Sequence, residues 1–155
     1  YYGSKTKQCR CSAYEIRKYL DKISGPLLDR IDIQIEVDSV SVTEIHMTGK
    51  EESSLQVRDR VQQARKLQQN RYQQEKQFCN AQLTSSQIET YCPLDQKGQQ
   101  LLEKAMERFS LSMRAYTRII KVARTIADLA GEEQIQVTHV AEAVQYRNLD
   151  GKYWR

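Results

Sequence analysis

No run of apolar residues in the 155-residue chain reaches the roughly 20 needed to cross a bilayer, so a helical membrane anchor is not expected. Nor does the chain open on a basic and then apolar leader: Tyr1-Tyr2-Gly3-Ser4 stands first, with no Met before it. The expectation is a piece of a longer, cytoplasmic polypeptide with no membrane partner. A Gly-x-x-x-x-Gly-Lys-Ser/Thr phosphate loop is missing. Gly49-Lys50 is followed by Glu51, and Glu44 stands where the first glycine of that loop would be. No acidic strand of the kind that holds a nucleotide's magnesium is present either, so the chain alone is expected to hydrolyse no nucleotide and to need no cofactor.

Histidine is scarce, with His46 and His139 each isolated. The four cysteines stand at 9, 11, 79 and 92, and only Cys9-Arg10-Cys11 is close-spaced. Two thiolates supply half of a tetrahedral zinc site. Reduced thiols and no metal are therefore expected. Net charge is +4, from 24 basic and 20 acidic residues, too small an excess to imply nucleic acid by itself. With 28% charged and 39% hydrophobic residues, the composition is that of a folded domain rather than a disordered chain.

What is present is mostly helical pattern. Ser12-Ala13-Tyr14-Glu15 fits a capping box, and Ile16, Tyr19, Leu20 and Ile23 follow at helical spacing. Gly25-Pro26 is read as the stop of that helix. Residues 31–37, Ile-Asp-Ile-Gln-Ile-Glu-Val, alternate as a half-buried strand does. One strand cannot satisfy its own backbone, so it is read as belonging to a sheet that is mostly absent. Residues 38–53 carry turn chemistry and a looser alternation through Val40, Val42 and Ile45.

From Ser53-Ser54 onward the pattern is helical. Val57, Val61, Ala64 and Leu67 make a narrow stripe on a long Arg-, Lys- and Gln-rich helix reaching about Gln74. Thr84-Ser85-Ser86-Gln87 opens a short helix with Ile88 and Tyr91, and Pro93 separates it from the next. There Leu101, Leu102, Ala105, Met106 and Phe109 mark the buried face. Ser112 caps a helix through Ala130 that Gly131 closes, and Thr138 caps a last helix with Val140, Ala141 and Val144 inward.

Wound at 100° per residue, the helix over 111–131 gathers Tyr116, Ile119, Ile120, Val122, Ala123, Ile126, Ala127 and Ala130 on one side. Arg114, Arg118 and Lys121 fall opposite, with Arg124 at the margin. A basic face of this kind is by base rate a solvated one. Arg114 lies in the first turn, where a cation opposes the helix macrodipole. That placement makes sense where a phosphate shares the site. Arg30, ahead of the alternating segment, is a second fixed cation. Its two readings are an ion pair with Asp29 or Asp32, or a planar fork held for phosphate oxygens.

Three stretches carry a family resemblance: SGPLLDRIDI at 24–33, LSMRAYTRIIKVARTIADL at 111–129 and HVAEAVQYR at 139–147. They resemble the magnesium-chelatase-like AAA+ ATPases of the ComM/YifB type, over nearly the whole chain. The resemblance implies a mainly α fold: a helical AAA+ lid bundle preceded by a helix and strand left over from the α/β ATPase core. The implied domains are a core fragment at 1–38, a linker at 39–53 and the lid at 54–155. Arg30 resembles the arginine finger that reaches the nucleotide of the neighbouring subunit, with Asp29 at that subunit boundary. Arg114 resembles sensor 2, which contacts nucleotide from the lid of its own subunit.

The resemblance further implies ATP and Mg2+ as cofactors of the full-length protein, and a ring of identical subunits, six in number. It implies a motor whose relatives include DNA helicases, which makes DNA a candidate partner. Arg58, Arg60, Arg65, Lys66 and Arg71 on the long helix are a DNA track or a solvated face. Two other readings stay open: a freestanding helical module that binds DNA or protein, and the motor subunit of a chelatase. In the family the C-x-C usually follows a Cys-Pro-Cys-Gly, which would fall before Tyr1.

Overall fold

The computed structural model describes residues 2–4, 7–37, 40 and 52–147. Its elements are α1 (Ala13–Leu20), α2 (Gly25–Leu28), α3 (Ser54–Arg71), a 3-10 turn (Asn80–Gln82), α4 (Ser85–Tyr91), α5 (Gln96–Arg108), α6 (Met113–Ala130) and α7 (Val137–Gln145). The mainly helical class is as expected. Val42, Ile45, His46, Gly49-Lys50, most of the 39–53 linker and everything past Arg147 lie outside the described residues.

Local chemistry fixes most helix starts. Ser12 and Glu15 cap α1 reciprocally, the Glu15 carboxylate accepting from the Ser12 N–H at 2.8 Å. That hydrogen bond also lowers the Glu15 pKa. Asp95 caps α5 by accepting from the Gly98 N–H at 2.7 Å. A Cβ at Gly98 would stand 2.9 Å from Asp95 Oδ1, so a side chain there would push on the capping carboxylate. Ser112 caps α6, and Gly131 ends it in the left-handed region at φ +74°.

The core lies where α6 meets its neighbours. Helices α3, α4 and α7 and the 3-10 turn all pack on α6, and α5 packs on α7. Leu102, Ile119, Ile120, Ala123, Ala127, Ile135, Val140 and Ala143 fill the centre. Each fully buried Leu, Ile or Val contributes about 1.5–3 kcal/mol. Leu94 and Ile135 form one isolated parallel bridge, the sole β pairing among the described residues.

Several expectations need correction. Residues 31–37 form no strand: Ile33, Ile35 and Val37 are exposed, and the Gln34 N–H donates to the Tyr146 carbonyl at 2.9 Å. Alternation supplies one face of a strand, but a ladder needs a neighbour, and none is found among the described residues. Gly25-Pro26 starts a helix rather than stopping one. Helix α1 ends at Leu20, and Pro26 sits in the first turn of α2, where its missing N–H costs nothing.

On α3 the buried positions are Ala64 and Gln68, while Val57, Val61 and Leu67 stay 39–45% exposed. The stripe turns toward Arg71, which is drawn inward by a buried carboxylate. That helix stops at Arg71, short of Gln74. Helix α7 is capped by Gln136, not Thr138: His139 Nδ1 accepts from the Gln136 N–H at 3.1 Å. Ala143 turns out to be the buried partner of Val140, and Ala130 is exposed where α6 runs out.

Candidate functional site

The turn that carries Arg30 is built from backbone. Ser24 starts α2, and the N–H groups of residues 27–31 donate back three or four positions, closing on Ile31 N–H to Leu28 O at 3.0 Å. Leu28 is buried there. Arg30 itself is exposed, and its guanidinium donates one long hydrogen bond, 3.4 Å, to the Pro26 carbonyl. Both carboxylates weighed as its ion-pair partners are taken elsewhere. Asp32 pairs with Arg118 of α6. Asp29 accepts from the Ser112 hydroxyl at 3.0 Å and stands 3.7 Å from the Arg147 guanidinium.

Arg114 occupies the second position of α6, exposed, with its side chain in no ion pair among the described residues. Its surroundings set it apart from the rest of the expected basic face. Arg118 is engaged with Asp32, and Lys121 donates to the Ala81 carbonyl at 3.2 Å. Arg124, placed at the margin by the helical wheel, is 2% exposed. Its guanidinium donates to Asp128 Oδ1 at 3.1 Å and to the carbonyls of Glu133 at 2.7 Å and Glu132 at 2.6 Å. Arg124 thus closes the loop after α6 rather than facing a ligand.

Asp128 is the hub of that interior. It accepts from Arg124, from Asn80 at 2.8 Å, and from Arg71 through a two-pronged pair at 3.0 and 2.5 Å. Asn80 also accepts from the Tyr72 hydroxyl at 2.7 Å and donates to Thr125 at 3.0 Å. Burial works against the charge of Arg71, but the Asp128 carboxylate outweighs it and raises its pKa. For Arg124 burial dominates and lowers it. Burial also pushes up the Tyr72 phenol, and the Cys92 thiol to about 11. These groups fasten α3, the 3-10 turn and α6 together.

The Cys9 thiol is lowered, chiefly by the backbone N–H of Cys11, and Cys11 is raised by Cys9 in turn. All four cysteines are free, and no three His, Cys, Asp or Glu side chains converge on a metal-sized site among the described residues. No helix among the described residues is long and apolar enough to cross a membrane.

Two residues to which the sequence reading gave no part in the site join the candidate pair. Ser112 caps the helix of Arg114 and bonds Asp29, the neighbour of Arg30. Arg147, 1% exposed, donates to the carbonyls of Leu28 (3.3 Å) and Ile31 from the end of α7. A signal for Arg147 existed: it falls seven residues after Val140, on the buried phase of α7.

The chain is therefore a helical domain that presents two solvent-facing arginines from turns bonded to each other. Residues 51–147 match the sequence model of magnesium chelatase, subunit ChlI C-terminal, and residues 1–45 match that of magnesium chelatase, subunit ChlI. The chain belongs to this magnesium-chelatase-like AAA+ family. It is 46% identical over 141 residues to the competence protein ComM of Haemophilus influenzae, covering 90% of this chain and 27% of that protein. It is 38% identical over 143 residues to the YifB protein of Salmonella typhimurium (91% and 27% covered). To YifB of Escherichia coli it is 37% identical over 142 residues, again with 91% and 27% covered. The chain thus spans little more than a quarter of these relatives' length.

Proposed function

We propose that this chain is the C-terminal lid region of an ATP-hydrolysing AAA+ ring, with Arg30 completing the nucleotide site of the next subunit and Arg114 sensing nucleotide in its own. One observation carries this: Arg30 is exposed while both nearby carboxylates are engaged by other groups. A structural arginine would have taken one of them. An arginine kept for an external anion keeps its fork open.

The residues fit a phosphate. Both guanidiniums are solvent-facing, planar and permanently charged, and each can meet two oxygens at once. When bound, Mg-ATP supplies the phosphoryl group that is cleaved, with charge spread over its γ-oxygens. Arg30 would place fixed positive charge against that developing charge across a subunit boundary. Arg114, beside the first free N–H groups of α6, would hold phosphate oxygens from the lid. Mg2+ ligands are left to the rest of the protein.

The test is ATP turnover by the full-length protein. Arg30→Ala is expected to lower kcat by roughly 10³-fold or more, as an arginine finger does, while ATP binding stays within a few-fold. Unchanged turnover would make Arg30 a surface residue only. A DNA-processing role has its own support: Arg58, Arg65 and Lys66 are exposed along α3, whereas Arg60 pairs with Glu52 and Arg71 with Asp128. A DNA track predicts affinity that falls steeply with salt and falls further in Arg58→Ala. A freestanding module would bind DNA without nucleotide dependence, and a chelatase motor would turn over ATP with no DNA dependence.

A further inference from the structure

We propose that Arg147 is a positioning residue for Arg30, and that with Ser112 and Asp29 it joins the Arg30 turn and the Arg114 helix into one mechanical unit. The proposal rests on the phosphate-binding reading of those two arginines and adds how they move together. Arg147 reaches back from the end of α7 and donates to the carbonyls of Leu28 and Ile31, one on each side of the Asp29-Arg30 pair. It also faces the Asp29 carboxylate at 3.7 Å. Burying a guanidinium is costly, and the acceptors that serve its Nη1 are the two carbonyls of the turn, so moving the turn away would raise that cost further.

The second tie is Ser112. Its oxygen caps α6 by accepting from the Ala115 N–H at 3.2 Å, and its hydroxyl donates to Asp29 at 3.0 Å. One side chain therefore touches the residue before Arg30 and sits two positions before Arg114. Arg118 to Asp32 and Gln34 N–H to Tyr146 O fasten the segment after the turn to α6 and to the end of α7. With these ties a shift of α6 on nucleotide binding cannot leave the Arg30 turn behind. Occupancy felt by Arg114 in one subunit moves Arg30, which serves the next. This is a physical route for coupling between neighbouring sites.

Amide hydrogen exchange on this chain tests the ties without any activity. Arg147→Ala should speed exchange at residues 27–31 and Gln34 by about 10-fold or more, while Ile119, Ile120 and Leu102 change by under about 2-fold. Asp29→Asn, which weakens the charge contact without emptying a buried site, should give a smaller change in the same residues. Unchanged exchange there in both variants would overturn the proposal.

In the full-length protein, Arg147→Ala should lower kcat for ATP at least about 10-fold with KM within about 2-fold, and Arg147→Lys should restore only part. Arg30→Ala measured alongside separates the two claims. If Arg30→Ala stops turnover and Arg147→Ala leaves kcat untouched, the positioning role fails. If Arg30→Ala itself has no effect, the finger fails, and the exchange result alone decides whether Arg147 orders the turn.

Discussion

Cys92 shows what burial does to a single group. It is 3% exposed, between α4 and Pro93, and its thiol is pushed up to about 11 from an ordinary 9.0 chiefly by loss of solvent. In the unfolded chain the thiol gives up its proton first, so the folded state holds more protons as pH rises. Stability from this group is whole below pH 9.0 and is lost between there and about 11. The unfolding free energy read from urea melts should therefore fall across that window, with a slope of up to about 1.4 kcal/mol per pH unit, and Cys92→Ala should flatten it. The same burial makes Cys92 inert. Iodoacetamide near pH 7.5 should label Cys9 and leave Cys92 unlabelled until the protein is denatured, as peptide mass spectrometry would read.

At this scale the sequence was legible for groups whose environment is local. The Ser12–Glu15 box, Ser112 and Gly131 act through neighbours a few positions away, and all three are found as expected. Arg124 was not legible, because its partners Glu132 and Glu133 lie past the helix end and no wheel shows a loop folding back. Yet its i, i+4 spacing to Asp128 was in plain view.

Among elements, the joint between α3 and α6 is polar where a bundle is usually apolar. Two guanidiniums and one carboxamide share the fully buried carboxylate of Asp128. Truncating it strands Arg71 and Arg124 together. Asp128→Ala should cost about 3–5 kcal/mol, read from urea unfolding, with Asp128→Asn less severe because it keeps acceptors in place. This joint also explains why the apolar stripe on α3 misled. A helix docked through Ala64, Gln68 and Arg71 needs no Leu at its contact line, and a reading by hydrophobic period cannot see it. Residues 31–37 misled in the opposite sense, since alternation is visible in a sequence and an absent neighbour is not.

For the whole molecule, Arg30 and Arg114 stand on turns joined through Ser112 and Asp29, while the roles proposed for them assign them to the nucleotide sites of different subunits. Removing Arg114 should therefore differ in kind from removing Arg30. Arg114→Ala in the full-length protein is expected to weaken ATP affinity by about 10-fold, in line with loss of a charge-assisted hydrogen bond, by equilibrium titration. Affinity and turnover both unaltered would remove Arg114 from the nucleotide site. The membership of the family was legible because its motifs are long and local in sequence. The hydrogen bond from Arg147 to the Leu28 carbonyl was not, since it joins residues whose meeting is a property of the folded chain alone.

The contact between Leu28 and Arg147 spans 119 residues. A ribosome adding roughly 5–20 residues per second takes on the order of 6–24 s to travel that far. Through that interval the early turn is already made and lacks the Arg147 donors that hold its carbonyls. Any stop codon placed ahead of position 147 would make that wait permanent.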